Sequence, residues 1–373
     1  MGLKAFKYRL YPSQSQARNL LLILKVAQNF YNMCLSERKW TYELEGRSVT
    51  QKEQLRQVKH YKATFPQAQQ VHSHVLQIVA TDVDQAFQAF FRRVKAGETP
   101  GYPRFKSHNH WHSFGFKEYG NGFKLDGRRL KIAGAGRIPV RWHRPMEGDI
   151  KTVRIVCKAG CWYACFACEV ADKPERPKTG CYVGIDVGIT ALLTTSDGEK
   201  VDNPKFYRAA QKKLRVVQRS LSRKKKGGKN QRKALRVVQR QQEHVANQRR
   251  DLLHKLSYTL VRYYDGVALE DLSIRNMVRN HHLSKSILDS GWGMFKQYLT
   301  YKAASAGREI CLVNPAYTSK CCSNCGAMFQ NFDLSTRWVK CECGLSLDRD
   351  HNAAINILKR AGWDAPAIAN EDP

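Results

Sequence analysis

The chain has 373 residues, with 63 Lys and Arg against 32 Asp and Glu, a formal charge of +31. At 42% hydrophobic and 10% aromatic it can fill two or three cores, which excludes a disordered tail or a collagen-like chain. So large a charge is ill matched to a small anionic metabolite and suits a long polyanion, because each neutralised phosphate releases condensed counterion.

No run of about 18 apolar residues occurs, and Met1 to Tyr8 lacks the apolar core and cleavage site of a signal peptide. The expectation is a cytoplasmic protein of a bacterial or archaeal cytosol or nucleoid, bound to nucleic acid and not to a membrane. Twelve cysteines in a reducing compartment should be buried thiols or metal ligands.

Lys4 to Leu10 alternates apolar and basic residues and predicts a strand. Ser13 to about Tyr42 predicts a helix, with Leu20, Ile23, Leu24 and Ala27 on one face and Ser13 and Gln16 spaced as a capping box. A second long helix is expected over 67–94, closed by the break at 97–103. From about His112 short alternating runs follow (113–116, 123–125, 130–132, 153–156, 162–166) between glycine-rich turns, a barrel or sandwich texture. Residues 1–12 and 97–172 thus form a β module, with a helical block, 13–96, inserted after its first strand. A linker is expected over 173–178.

The second half opens with a buried strand, 181–187, and its hairpin partner, 191–195. Two basic helices follow, about 205–226 and 230–264, joined near Gly227-Gly228; residues 203–250 hold 17 Lys and Arg and one acid, Glu243. Leu214, Val217, Leu221, Leu235 and Val238 give a narrow apolar seam, so a helical hairpin with one charged face is expected. Strand 266–269, helix 284–306 and strand 310–313 come next, then a cysteine-rich insert and a final helix, with a loose tail over 363–373.

Three acids stand at the ends of apolar segments: Asp186, Glu270 and Asp350. A carboxylate there is costly unless compensated, and Mg²⁺ compensates through a few carboxylates, water and phosphate oxygens. Two such ions can clamp the attacking and leaving oxygens of a phosphodiester displacement. A hairpin strand with Asp, a later strand with Glu and a final helix with Asp is the order of an RNase H-like nuclease. Alone, Asp186 could be a turn residue between Gly184 and Gly188, Glu270 a solvated strand end, and Asp350 an N-cap; Asp271 and Asp348 are rivals.

Cys322-Ser323-Asn324-Cys325-Gly326 and Cys341-Glu342-Cys343-Gly344 form two knuckles whose four thiolates could close a structural zinc site; buried reduced thiols are the alternative. Cys321 is a possible alternate ligand, set aside here. Cys157, Cys161, Cys165 and Cys168 have strand spacing and are read as core residues, with a second metal site as the alternative.

Gly184 to Gly188, Leu269 to Leu272, Thr318-Ser319-Lys320 before the first knuckle, and Leu347 to Ala354 resemble TnpB, the transposon-encoded RNA-guided nuclease family related to type V CRISPR effectors. Tyr8 to Pro12 and Pro103 to Lys106 are also similar to that family, so the likeness runs along the whole chain. It implies a multidomain α/β plus β fold: an N-terminal wedge β-barrel with an inserted helical recognition domain, then an RNase H-like RuvC domain (179–314 and 346–362) with an inserted zinc ribbon (315–345). It implies a guide RNA from the transposon end and Mg²⁺-dependent cleavage of double-stranded DNA beside a short flanking motif. Carried over by motif, the catalytic acids are Asp186, Glu270 and Asp350, with a two-ion Mg²⁺ site, and the zinc ligands Cys322, Cys325, Cys341 and Cys343.

A guide–target heteroduplex is held by its backbone in a basic channel. The 203–250 hairpin, including Arg223, Lys224, Lys225 and Lys226, is a candidate wall. Ser73 and Gln77 share a helix face that could read an adenine in the flanking motif, or be solvated. Tyr102, Phe105 and Trp111, near Arg104 and Lys106, could stack on unpaired bases, or pack in the core. The alternatives are a transposase acting without guide RNA and a non-catalytic RNA-guided DNA-binding protein. The expected form is a monomer or a dimer.

Overall fold

The computed structural model describes residues 2–171, 175–330, 332–333 and 335–364. The chain divides into two compact units, Met1–Asp172 and Lys173–Pro373. Residues 173 and 174 of the expected linker and 365–373 of the expected tail lie outside the described residues.

In the first unit β1 (Gly2–Leu10) buries Phe6, Tyr8 and Leu10 by strict alternation. Helix α1 (Gln14–Glu45) starts on the expected capping box, Ser13 Oγ accepting from the Gln16 amide and Gln16 Oε1 from the Ser13 amide, and stops at Gly46, which takes the left-handed C-cap. A helix absent from the expectation follows, α2 (Gln51–Thr64), capped by a second box between Thr50 and Glu53. The long helix expected over 67–94 is broken into α3 (Pro66–Gln69) and α4 (Ser73–Lys95). The break comes where the His72 side chain caps α4 by accepting from the His74 amide. Arg38 ties the helices together from inside, donating to Gln54 of α2 and Asp84 of α4.

Six strands follow: β2 (Ser113–Phe116), β3 (Phe123–Asp126), β4 (Arg129–Ile132), β5 (Gly136–Arg141), β6 (Asp149–Lys158) and β7 (Cys161–Val170). Strand β5 is unexpected, because Pro139 demotes an otherwise alternating run. The seven strands form one antiparallel sheet in the order β2-β6-β7-β1-β5-β4-β3. The ring of Phe116 on one edge strand lies 5.9 Å from that of Phe123 on the other, so the sheet is a nearly closed barrel.

The second unit is built on β8 (Tyr182–Asp186), β9 (Ala191–Thr195), β10 (Lys200–Asp202), β11 (Gly266–Glu270) and β12 (Glu309–Val313), in the order β10-β9-β8-β11-β12. The first three are antiparallel; β11 runs parallel to both β8 and β12. Between β10 and β11 stand α5 (Phe206–Ser222) and α6 (Lys229–Tyr263). Leu214 and Val238 are buried as expected, but Leu235 is exposed and the α6 seam continues at Val245, seven residues on from Val238.

After α7 (Ile274–Met277), the helix expected over 284–306 is two: α8 (His281–Ser290) and α9 (Trp292–Ala306). Gly291 separates them in a left-handed conformation, and a Cβ there would press on the Arg249 side chain at 2.9 Å. A two-stranded ribbon, β13 (Trp338–Lys340) and β14 (Ser346–Asp348), leads into α10 (Arg349–Arg360). Trp363, expected to be loose, stacks beside Tyr182 at 4.9 Å.

The sheet is covered on both faces. Val183, Ile185, Val267 and Leu269 face α6 and α9, while Ala268, Val313 and Ile357 share a second cluster under α10.

Candidate active site and metal centre

Alternation settles where the strand acids point. Val183 and Ile185 of β8 and Val267 and Leu269 of β11 face α6 and α9, so Gly184, Asp186, Ala268 and Glu270 belong to the α10 face. Ile185 pairs in register with Leu269, which sets Asp186 and Glu270 side by side at the carboxyl ends of neighbouring parallel strands. Helix α10 lies so close to β8 that a Cβ on Gly184 would overlap the Ala354 carbonyl and crowd the Leu358 amide at 2.6 Å. Gly184 is therefore a mid-strand glycine required by helix packing, not a turn residue.

The rival acids are engaged elsewhere. Asp348 is the N-cap of α10, its Oδ1 accepting from the Asp350 and His351 amides, and its Oδ2 pairs with Lys200 at 2.8 Å. Asp350, in the first turn, is thereby relieved of capping. Its carboxylate meets the neighbouring Arg349 guanidinium at 2.8 Å. Asp271 turns to the other side and pairs with Lys296 of α9 at 2.7 Å.

The neighbouring acids act on Asp186. Burial first, then the charges of Glu270 and Asp350 and, least, that of Asp348, push its carboxyl from an ordinary 3.8 up to about 8, against the pull of Arg349. Burial also raises Glu270, opposed by a hydrogen bond from Thr318 and the charge of Arg360. A buried carboxyl pressed by neighbouring acids on an apolar sheet suits a hard divalent cation. Among the described residues, the one group of three or more metal-ligating side chains gathered within 4.8 Å is the cysteine set, and the three acids are not drawn together that closely.

The four cysteine sulfurs are Cys322, Cys325, Cys341 and Cys343, all within 4.8 Å of one another. Cys322 and Cys343 Sγ lie 3.6 Å apart, and Cys325 and Cys341 Sγ 3.5 Å. Tetrahedral zinc at about 2.3 Å from each sulfur needs edges of about 3.8 Å, so the set fits zinc. Gly326 and Gly344 take φ of +80° and +89°, closing each knuckle. Backbone and Asn324 donors lower Cys343 to about 6, whereas burial pushes Cys322 up to about 12; a cation would draw the latter proton off. Cys321 points away, its sulfur 3.3 Å from that of Met328. Cys157, Cys161, Cys165 and Cys168 lie on β6 and β7 and form no such cluster among the described residues.

The nucleic-acid candidates are scattered. Ser73 and Gln77 share a face of α4, half-buried, with Ser73 accepting from Lys62. Tyr102 packs edge-on against Phe87 and Phe90, and Trp111 lies 5.0 Å from Tyr31, so both serve the helical block. Phe105 and Arg104 are exposed, while the Lys106 backbone is gripped by Asn32 and Gln28. Arg223 to Lys226 form the exposed connection between α5 and α6. Thr318, whose hydroxyl donates to Glu270 Oε1 at 2.5 Å, enters the sequence reading only within the motif before the first knuckle and is not among the expected site residues.

Family profiles match residues 165–281, described as "Probable transposase", and 292–357, described as "Cas12f1-like, TNB domain". A third, a "Helix-turn-helix domain", matches 1–47, where the structure has β1 and the single helix α1. A Streptomyces pristinaespiralis protein named "Putative RNA-guided DNA endonuclease" is 37% identical, covering 98% of this chain and 91% of that protein. The chain belongs to the TnpB family. The TnpB relative from Escherichia coli K12, "Putative RNA-guided DNA endonuclease InsQ", is 30% identical over 95% of this chain and 92% of its own length. A solved Cas12f1-sgRNA-target DNA complex shares the fold, with a TM-score of 0.60 at 16% identity, over 92% of this chain and 82% of that one. The motif resemblance is thereby borne out. Among the described residues of this TnpB-family chain, no helix is long and apolar enough to cross a membrane.

Proposed function

We propose that the protein is an RNA-guided DNA endonuclease of TnpB type, which binds a transposon-end guide RNA and cuts double-stranded target DNA beside a short flanking motif. The second unit is then a RuvC-type, RNase H-like nuclease with an inserted zinc ribbon, and the first a wedge barrel carrying a recognition block. The observation that carries the nuclease reading is the placement of the acids: Asp186 and Glu270 end neighbouring parallel strands on the face that α10 covers, and Asp350 stands in the first turn of that helix. Relatives at 37% and 30% identity named for RNA-guided cleavage support the guide and the substrate.

Asp186, Glu270 and Asp350 fit a divalent-ion site. Magnesium bound there would stabilise the leaving 3′ oxygen and acidify the attacking water, giving 5′-phosphate ends. The chain supplies the orientation. Strands β8 and β11 fix two acids in register, Thr318 holds Glu270 by one oxygen, and Asp348 caps α10 so that Asp350 is not needed as the cap. The zinc ligands shape the ribbon and leave no open position for chemistry. Arg223 to Lys226 and the exposed basic faces of α5 and α6 hold nucleic-acid backbone, where charge counts and sequence does not.

The test is to purify the protein from cells carrying its own locus, sequence the RNA it retains, and assay plasmid cleavage with Mg²⁺. Expected are one defined transcript from the adjacent transposon end, and cleavage that Asp186→Ala abolishes while RNA binding persists. Random RNA only, or strand transfer without RNA, would return the reading to a transposase; cutting by Asp186→Ala at the unsubstituted rate would remove the site assignment.

A further inference from the structure

Helix α10 serves two masters. One side packs on β8 at Gly184. Another carries Asn352, Asn356, Lys359 and Arg360, which the helical repeat brings to one face. These side chains grip the backbone that leads into the first knuckle. Asn352 Nδ2 donates to the Cys321 carbonyl at 2.8 Å, and its Oδ1 accepts from the Ser323 amide at 2.8 Å. Asn356 Nδ2 donates to the carbonyls of Thr318 and Cys321, Lys359 to that of Ser323, and Arg360 to those of Asn314 and Ala316. Asn352 is fully buried, so its bonds are made in a low dielectric, where losing a partner is expensive.

The gripped segment reaches back to the acids. Thr318, 2% exposed, has one hydroxyl proton and two acceptors within reach: Glu270 Oε1 at 2.5 Å and the Pro315 carbonyl at 3.2 Å. The shorter, charged acceptor takes it. The hydroxyl therefore fixes Glu270, while the Thr318 carbonyl is held by the helix that carries Asp350 and the following residues enter the knuckle at Cys322.

We propose that the cysteine knuckle and the acidic site are one coupled unit, with Thr318 a positioning residue for Glu270 that transmits between them. This rests on the divalent-ion reading of the acids. A Mg²⁺ ion that needs Glu270 in one orientation then favours the segment that holds it there, and the knuckle holds its zinc more tightly. Linkage makes the effect reciprocal: a zinc-free knuckle weakens Mg²⁺ binding by the same factor.

The experiment follows zinc loss from the full-length protein to a zinc-binding dye, with and without Mg²⁺, alongside the Mg²⁺-induced shift in melting temperature. Mg²⁺ is expected to tighten zinc affinity, read from the zinc left on the protein at equilibrium with the dye, about fivefold, the low end of coupling between sites. Thr318→Val should lose that protection and Thr318→Ser keep it. A merely structural Thr318 would instead give Val weaker zinc affinity equally with and without Mg²⁺, and that result overturns the proposal. A clear Mg²⁺ melting shift with no protection of zinc overturns the coupling alone; no melting shift removes both the coupling and the acidic-site reading. If Thr318→Val does not fold, Asn356→Ser carries the same comparison.

Discussion

Asp186→Asn should stabilise the magnesium-free protein while destroying its activity. The Asp186 carboxyl rises from 3.8 to about 8 on folding. A raised carboxyl means that, between those limits, the folded chain holds a proton the unfolded chain has released. Stability therefore falls as pH rises through that window, and the full penalty is felt above pH 8. At about 1.4 kcal/mol per pKa unit the span is at most ~6 kcal/mol. A carboxylate that stays partly hydrated, among groups that can relax, should realise a fraction of this, on the order of 2 kcal/mol. For a unit of about 200 residues that is roughly 4–8 °C in Tm. The assay is calorimetry from pH 5 to 8.5 in buffer cleared of Mg²⁺ by resin, with no chelator added, so that zinc stays in the ribbon. The variant should melt near the unsubstituted protein at pH 5 and several degrees above it at pH 8.5. Adding Mg²⁺ should raise the unsubstituted protein and leave the variant unmoved. A variant that is less stable at every pH, or a gap that does not widen with pH, would refute the reasoning.

Asp348→Ala removes a helix cap and should lower stability by about 1 kcal/mol with cleavage reduced, whereas Asp350→Ala should abolish cleavage with stability nearly kept; melts and plasmid assays separate the two. Gly184→Ala should destabilise the second unit by about 3 kcal/mol, since the added methyl drives into the α10 backbone, and denaturant unfolding would show it. Cys322→Ala should lose its zinc by metal analysis and Cys321→Ala keep it. Replacing Arg223, Lys224, Lys225 and Lys226 with Gln should flatten the salt dependence of guide or target binding, by about one unit of slope for each phosphate no longer neutralised.

What the sequence revealed was what local rules encode. The β1 alternation and the Ser13 capping box are visible because each is decided within a few residues. Helix α2 carries the same local signal, a capping box between Thr50 and Glu53, but its polar composition hides it from a reading of apolar periodicity. The break at His72 and the split at Gly291 were not legible. The first depends on a histidine acting as a cap, the second on Arg249 packing from another helix. Gly184 illustrates the limit well: its motif suggested a turn, and only the helix arriving from 170 residues later explains it. Among the candidate acids, residue type and order single out three as the expected set. What the sequence does not show is that Asp348 and Asp271 pair with Lys200 and Lys296, partners distant in sequence.

The two candidate metal sites differ in how their residues are placed. The cysteines sit on knuckles whose glycines fix the backbone, with the sulfurs within 4.8 Å of one another. The acids are arranged by a sheet register and a helix start, and Glu270 and Asp350 press on the buried Asp186. A site of the second kind lowers the stability of the empty protein, and that strain is released only on loading. On the proposed reading the asymmetry is useful: the ribbon is built once, on folding, while the acidic site exchanges its ions. A Mg²⁺-dependent rise in stability that needs Asp186, set against zinc that stays bound through the same titration, is the thermodynamic signature of that division.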